Sequence, residues 1–265
     1  MSLITLFQDK IKPLKLRGTG MLNPVPTSKI DNNLYAIKDG DVNLWIYKKN
    51  NTTLAIDTGY KNNIKLKNIL KKFNIKNEKI DYVFLTHADI DHAGGLISDD
   101  RFASNAQIYL HTLEENMLLG KEKRFKFSFI KINNPVNYKG KYNLFKDKEE
   151  FNLNDIKIKC YHTPGHTKGH SSFLIDDKYL FTGDSLAINE EGGYCFFDFY
   201  NMNTKQNIKS IKKLKNYFKN NNDIIVCTSH SGMHNIKESF LHIDKIAKGT
   251  KKKPFDKKAP YDVFK

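Results

Sequence analysis

Four side chains of the types that bind metal ions lie within a stretch of six residues, at His87, Asp89, Asp91 and His92. The stretch directly follows an apolar run, residues 80–85, which predicts a buried strand. Two imidazoles and two carboxylates held this close together repel one another or compete for protons unless a positive charge lies between them. The pattern therefore predicts a divalent metal site on a loop at the end of a strand. Taken alone, it is also compatible with a polar surface loop, because aspartate is common in turns.

Further polar clusters follow predicted strands elsewhere in the chain, and they favour the metal site over the surface loop. Three downstream clusters contain His166, Asp184 and His230, and an Asp-Thr-Gly turn lies upstream at residues 57–59. In this order and spacing, the clusters resemble those of the metallo-β-lactamase superfamily of metallo-hydrolases, over about residues 34–232. The resemblance implies an α/β fold, an αββα sandwich of two mixed sheets with helices on the outer faces.

The resemblance also implies a binuclear metal centre with zinc as the expected metal and iron or manganese as alternatives. In the family pattern an aspartate at the position of Asp57 orients the metal loop from behind the ligands, although an aspartate before glycine can also simply form a turn. The implied ligands are His87, Asp89 and His166 for one ion and Asp91, His92 and His230 for the other, with Asp184 bridging the two.

The chain departs from the family pattern at Asp89, where many members have histidine. A carboxylate adds negative charge and a hard oxygen ligand, which favours iron or manganese more than imidazole does. The alternative is that Asp89 points to solvent and that only one metal ion binds well.

The activity implied by the resemblance is that of a metal-dependent hydrolase, similar to glyoxalase II and the lactonases. A metal-bridging hydroxide would attack the carbonyl carbon of an ester, thioester or lactone. Asp91 is predicted to orient the nucleophile and to move its proton to the leaving group. Residues 186–200 are rich in aromatic side chains and are predicted to line the substrate pocket. Within them Tyr194 would donate to the developing oxyanion or only pack.

Two other functions are carried as alternatives. A diiron protein that binds oxygen or reduces oxygen or NO, resembling flavodiiron proteins, is suggested by the carboxylate of Asp89, although those proteins usually have glutamate there and a flavodoxin-like domain. A phosphodiesterase or nuclease is suggested by the net charge of +15. Nucleic acid is not the expected partner, because arginine occurs only at Arg17, Arg101 and Arg124. The most basic stretch, residues 121–127, is either a binding patch or a solvated loop.

The elements that would position these residues occur in two similar halves, each with strands, an acidic turn, a helix and a strand that ends in a histidine loop. Two such halves packed face to face would bring both sets of loops to one edge. Residues 120–150 are predicted to be an excursion that forms one wall of the substrate site. Strands are predicted at 34–37, 42–47, 53–56, 82–85, 107–110, 156–161, 172–175, 179–181 and 224–226, and helices at 61–74, 112–119, 205–218 and 234–248.

The composition is that of a globular protein, with 265 residues of which 39% are hydrophobic. One domain over residues 1–265 is predicted, with an irregular N-terminal arm at 1–30 and a basic tail at 250–265. No signal peptide or membrane-spanning run is recognised, so a cytoplasmic protein with a small-molecule substrate and no membrane partner is expected. The cysteines, Cys160, Cys195 and Cys227, are odd in number, which argues against a disulfide framework. The oligomeric state is not predicted.

Overall fold

The computed structural model describes residues 21–63, 66–99, 102–127 and 130–248 of the chain. The predictions for residues 1–20 of the arm and for the tail at 250–265 therefore lie outside the described residues. The rest of the predicted arm packs onto the protein, since Met21, Leu22 and Val25 are buried. The backbone N–H of Asn23 donates to the carbonyl oxygen of His230 over 2.7 Å. This part of the arm is thus tied to the histidine loop at the end of the second half.

The first half of the chain forms a seven-stranded mixed sheet. Its strands are β1 Ser28–Lys29, β2 Leu34–Asp39, β3 Val42–Lys49, β4 Thr52–Ile56, β5 Tyr82–Phe84, β6 Gln107–His111 and β9 Asn143–Phe145. The first four pair antiparallel as a meander, and β4, β5, β6 and β9 run parallel. The helices of this half are α1 Leu66–Lys72, α2 Ile90–Ala93 and α3 Glu115–Leu118. The helix predicted over 61–74 is therefore shorter than expected, with residues 64 and 65 outside the description.

The second half forms a six-stranded sheet in the order β10-β11-β12-β13-β16-β17 and a separate three-stranded sheet in the order β14-β15-β18. The strands are β10 Glu150–Leu153, β11 Ile156–His162, β12 Ser171–Ile175, β13 Tyr179–Gly183, β14 Leu186–Asn189, β15 Gly192–Cys195, β16 Ile225–Thr228, β17 Met233–Asn235 and β18 His242–Ile246. The helices are α4 Thr204–Phe218 and α5 Ile236–Ser239. Helix α4 is the crossover between the parallel strands β13 and β16.

Three hydrophobic clusters hold these layers together. Side chains of the two large sheets share one cluster, in which Trp45 and Phe84 meet Phe173 and Phe181. A second cluster lies between the first sheet and α1, and a third between the second sheet and α4. Helix, sheet, sheet and helix are thus stacked in that order, and the αββα sandwich expected from the sequence is confirmed.

Residues 120–150, predicted as an excursion, form regular structure. A hairpin of β7 Lys123–Phe127 and β8 Ile130–Asn133 lies outside the larger sheets, and β9 and β10 then join one large sheet each. In the basic stretch 121–127, Lys121 and Lys123 are exposed whereas Arg124 is buried. The side chains of residues 125–127 lie outside the description.

The helix predicted over residues 234–248 is wrong. The side chain of Asn235 accepts a hydrogen bond from the Glu238 N–H over 2.9 Å and starts the four-residue α5, which ends at Ser239. The chain then becomes strand β18, which pairs parallel with β15. Phe240 and Ile243 lie in one hydrophobic cluster. Because a helix and a strand can both bury these two side chains, their spacing did not distinguish a helix from a strand. Pairing with a strand some fifty residues earlier in the chain decided the outcome.

Phe84 links the layers next to the metal loop and allows a test of the packing. It is fully buried, and its ring stacks on Tyr109 at 4.6 Å between centroids and meets the edge of Phe173 at 5.5 Å. We expect Phe84→Ala to lower the free energy of unfolding by about 3–5 kcal/mol, measured by urea denaturation, because a large cavity would remain. Phe199→Ala is the matched control, since Phe199 is 47% exposed, and it should cost less than about 1 kcal/mol. Equal losses in the two variants would contradict this account of the core.

Candidate metal centre

The predicted metal-binding side chains lie on loops at the carboxyl ends of strands and in the short helix α2, along one edge of the sandwich. One loop follows β5, another joins β11 to β12, and shorter ones follow β13 and β16. All of these residues are at least 95% buried, and the structure brings their side chains together. They are His87, Asp89, Asp91, His92, His166, Asp184 and His230.

Four of these residues, Asp91, His92, Asp184 and His230, surround one point. The Nε2 atom of His92 lies 3.4 Å from an Asp184 oxygen and 3.9 Å from an Asp91 oxygen. The Nε2 atom of His230 lies 3.3 Å and 3.6 Å from oxygens of the same two residues. Ligands of a tetrahedral zinc ion, with bonds of roughly 2.0–2.1 Å, are roughly 3.4 Å apart. The spacing of these atoms therefore fits one divalent cation.

The hydrogen bonding of the same atoms supports that fit. The Nε2 atoms of His87 and His92 and the Oδ1 atom of Asp184 are buried and have no hydrogen-bond partner among the described residues. Ligand atoms of these three residues lie within 4.8 Å of one another. A buried acceptor without a partner costs about 1–3 kcal/mol, and three such lone pairs aimed into one space suit a cation. The residues present therefore fit a metal ion.

Groups behind the histidines fix which nitrogen faces inward. Asp57 accepts from Nδ1 of His92 over 2.8 Å, and the carbonyl oxygen of Asp41 accepts from Nδ1 of His230 over 2.6 Å. Each Nδ1 thus carries the proton, which leaves the Nε2 lone pair free for a metal ion. Asp57 also accepts from the N–H of Thr86 over 2.8 Å, so it orients the metal loop as the family pattern implied.

Electrostatics make this interior strongly charged. Burial by itself lowers the pKa of His92, but the carboxylates of Asp184, Asp57 and Asp91 raise it well above its ordinary value. Burial likewise raises the pKa of Asp184, but His230 and His92 hold it well below its ordinary value. The carboxylate of Asp184 is therefore ionised, and it favours positive charge beside it in the site.

The other predicted ligand group contains a residue that the sequence analysis did not assign to it. His87 and His166 each place Nε2 near one oxygen of Asp89, at 3.4 Å and 3.3 Å. Arg124, from β7, donates from Nε to Asp89 Oδ1 over 2.6 Å and from Nη2 to Asp89 Oδ2 over 2.7 Å. Burial opposes ionisation of Asp89, but Arg124 holds the pKa of that carboxyl well below its ordinary value. Asp89 does not point to solvent, because the residue is only 5% exposed.

Glu114 was also missed, because a single glutamate in a predicted short helix carries no signal of its own. It is fully buried and joins two ligand loops. Its Oε1 atom accepts from the N–H of Ala88 over 2.9 Å, and Oε2 accepts from the N–H of Gly169 over 2.9 Å and from the hydroxyl of Thr167 over 2.7 Å. Glu114 thereby fixes the spacing between the loops that carry His87 and His166.

The remaining singled-out residues have other contacts. The hydroxyl of Tyr194 donates to Glu191 over 2.7 Å, and its ring lies 5.0 Å from that of His242, so its role at an oxyanion stays a prediction. His170 braces the loop of His166, with Nδ1 2.9 Å from the Thr163 hydroxyl oxygen and Nε2 accepting from the Asp184 N–H over 3.1 Å. The three cysteines, Cys160, Cys195 and Cys227, are all buried and free.

Fold and site together define a metal-binding protein of the αββα class. The sequence model described as the metallo-beta-lactamase superfamily matches residues 37–230, which is more than half of the chain. The chain belongs to this superfamily. Within the part of the chain that the structure describes, no helix combines the length and the apolar character that crossing a membrane requires.

The chain is similar to individual members of the superfamily over part of their length. The hydroxyacylglutathione hydrolase of Buchnera aphidicola subsp. Schizaphis graminum is 31% identical over 73% of this chain and 63% of its own length. The metallo-beta-lactamase fold-containing protein ST1585 of Sulfurisphaera tokodaii is 30% identical over 51% of this chain and 53% of its own length. The chain thus spans between about half and two thirds of the length of these relatives. Among solved structures, a class B3 di-zinc metallo-beta-lactamase, LRA-12, from an Alaskan soil metagenome aligns with a TM-score of 0.57 at 20% identity, over 80% of this chain and 81% of that one. This likeness concerns the fold.

The hydrogen bond from His92 to Asp57 can be tested through metal affinity. We expect Asp57→Asn to weaken zinc binding roughly 10- to 100-fold, because the amide no longer holds the His92 ring and tautomer as the carboxylate does. Competition with a chromophoric chelator measures the change. Asp155→Asn is the control, since Asp155 is exposed and its side chain accepts from Asn50 far from the site. Unchanged affinity in folded Asp57→Asn protein would show that Asp57 does not orient a ligand.

Proposed function

We propose that the chain is a metal-dependent hydrolase that cleaves thioesters. The observation that carries the proposal is the buried group of Asp91, His92, Asp184 and His230, whose ligand atoms are spaced as a divalent cation requires. Zinc is the proposed metal, because three imidazoles, those of His92, His230 and the adjacent His87, face this space. When bound, such a cation lowers the pKa of a water molecule and polarises a carbonyl oxygen.

The choice of a thioester comes from the relatives. The hydroxyacylglutathione hydrolase of Buchnera aphidicola subsp. Schizaphis graminum is similar over 198 residues, and the superfamily model, over residues 37–230, includes the whole ligand set. It leaves more than a third of the length of that relative unmatched. The proposal therefore concerns the thioester bond and a small-molecule substrate, and it leaves the thiol part of the substrate open. Esters and lactones are the related carbonyl substrates that the same chemistry would accept.

Side chains around the cluster have separate parts in this reaction. The carboxylate of Asp91 lies within 4 Å of the Nε2 atoms of both His92 and His230, so it would orient the attacking water and take its proton on Oδ for transfer to the leaving thiolate. The ring of Phe196 lies 5.3 Å from that of His166 and 6.0 Å from that of His230. This buried ring excludes water from one side of the cluster, which strengthens the electrostatic interactions inside it.

Asp184 tests the proposal, because its two oxygens face different histidines of the cluster. Zinc-loaded protein should hydrolyse S-acylglutathione, and Asp184→Asn should lower kcat/KM by more than about 100-fold, since removal of an outer partner alone costs roughly 10- to 100-fold. Asp223→Asn, at an exposed position away from the cluster, should keep wild-type turnover. The proposal would be refuted if folded Asp184→Asn protein kept the turnover of the wild type. It would also be refuted if metal-loaded wild type turned over neither thioesters nor oxygen esters.

Three substrates with the same acyl group define what is recognised. The S-acylglutathione, the S-acylcysteamine and the corresponding oxygen ester are compared by kcat/KM. Similar values for the two thioesters would show that the chain recognises the acyl side of the bond. A preference of 10-fold or more for the glutathione thioester, which corresponds to about 1.4 kcal/mol, would show that the chain also binds the peptide part.

A further inference from the structure

We propose that the guanidinium of Arg124 takes the place of one of the two cations, so that the chain binds a single divalent cation. The cation lies among Asp91, His92, Asp184 and His230, and Arg124 supplies the second positive charge beside Asp89 and His166. The inference rests on the proposed function in one respect, namely that the cluster binds a metal ion at all.

Arg124 contacts the group that would otherwise hold the other ion. Its side chain is 2% exposed, and Nε and Nη2 donate to the two oxygens of Asp89 in a parallel fork. The Nη2 atom also lies 3.1 Å from Nε2 of His166 and donates to the carbonyl oxygen of Tyr200 over 2.7 Å. Bidentate pairing of this kind is geometrically specific and is the strong form of a hydrogen-bonded ion pair. Asp89 and Arg124 are thus matched to each other in a dry environment.

The tautomer of His166 shows that its inward nitrogen is used by Arg124. The amide nitrogen of Asn201 donates to the carbonyl oxygen of Phe196 over 3.0 Å, which identifies the other amide atom as oxygen. That oxygen lies 3.2 Å from Nδ1 of His166, so Nδ1 carries the proton and donates to it. Nε2 then has only a lone pair, and an arginine N–H points at it. A metal ion would need the same lone pair.

The distribution of partnerless atoms separates the two groups of ligands. His87 Nε2, His92 Nε2 and Asp184 Oδ1 have no hydrogen-bond partner among the described residues. By contrast, both oxygens of Asp89 and the Nε2 atom of His166 each have a partner N–H on Arg124, and His166 Nε2 also lies 3.3 Å from Asp89 Oδ2. The partnerless atoms of His92 and Asp184 therefore belong to the group proposed to hold the cation. In the other group Arg124 already satisfies Asp89 and His166, and His87 is the member that it does not contact.

Charge repulsion adds to the geometric conflict. An ion bonded to His166 at roughly 2.1 Å would lie within roughly 5 Å of Nη2. Arginine remains protonated in proteins, so a buried divalent ion at that distance would meet an unscreened like charge. Arg124 also neutralises the carboxylate of Asp89, which stands where many family members have a neutral histidine. The departure from histidine at position 89 and the buried arginine at position 124 are in this account one paired substitution.

The reason for considering a diiron centre is removed as well. That alternative depended on Asp89 as an oxygen ligand of iron, and both of its oxygens accept hydrogen bonds from Arg124. A single metal ion with a fixed organic cation beside it cannot form a diiron pair.

The number of bound metal ions tests the inference without reference to turnover. Protein dialysed against zinc is analysed by inductively coupled plasma mass spectrometry, and cobalt-loaded protein by visible absorption. We expect one ion per chain in the wild type. Arg124→Met and the double variant Asp89→His with Arg124→Met should each bind two ions, because both free the lone pair of His166. The double variant restores a neutral ligand, so it keeps the test valid if the single variant fails to fold.

Two controls distinguish the possible failures. Lys123→Met changes the exposed neighbour of Arg124 on the same strand and should still bind one ion. The inference would be overturned if the wild type bound two ions per chain. It would also be overturned if the double variant, shown to be folded by circular dichroism, bound only one ion. Neither result would contradict the proposed metal-dependent hydrolase. A wild type that binds no ion would instead refute the proposed function together with this inference.

Discussion

Concentrated negative charge in a dry interior is the constraint on which the rest of this structure depends. Asp89, Asp91 and Asp184 each lie within 4 Å of a histidine nitrogen of the cluster, and each residue is at least 95% buried. Ionised carboxylates without counter-charges are very costly in such a place. Histidine nitrogens, the guanidinium of Arg124 and the implied metal ion are the means by which this charge is balanced. Positive charge beside these carboxylates therefore stabilises the folded structure as well as the site.

The sandwich makes this convergence possible because its rigid sheets deliver short loops to one edge. Asp57 follows β4 and has a left-handed backbone, with φ of 62°, which turns its carboxylate toward the metal loop after β5. Glu114 then connects that loop to the loop of His166 through backbone hydrogen bonds. His92, His166 and His230 are each held by an outer partner as well, as metal sites generally require. Flexible loops alone would not hold these like charges together.

A hairpin outside the two large sheets supplies a permanently charged cationic side chain to the cluster. Strand β7 inserts Arg124, while neighbouring lysines on the same stretch are exposed. The large net positive charge of the chain is therefore mostly unrelated to the site, and a single buried arginine has more effect on its chemistry than the many surface lysines. Solvent screens exposed charges, whereas a buried pair such as Arg124 with Asp89 is screened very little.

Local patterns in the sequence determined most strands of the two large sheets, the amphipathic helix α4 and the positions of the histidine and aspartate loops, and the resemblance to the superfamily implied the αββα arrangement. Those signals are short-range: alternating or helical spacing marks an element, and polar ligands at the end of an apolar run mark a loop. Tertiary structure alone decided the strand at residues 242–246, because its partner β15 lies far away in the chain and the apolar spacing suits a helix equally well. It also decided the roles of Glu114 and Arg124, since one charged residue in a helix or a hairpin looks like any surface residue until the backbone carries it into the interior. Burial and the pairing of charges are properties of the folded neighbourhood, and no local spacing encodes them.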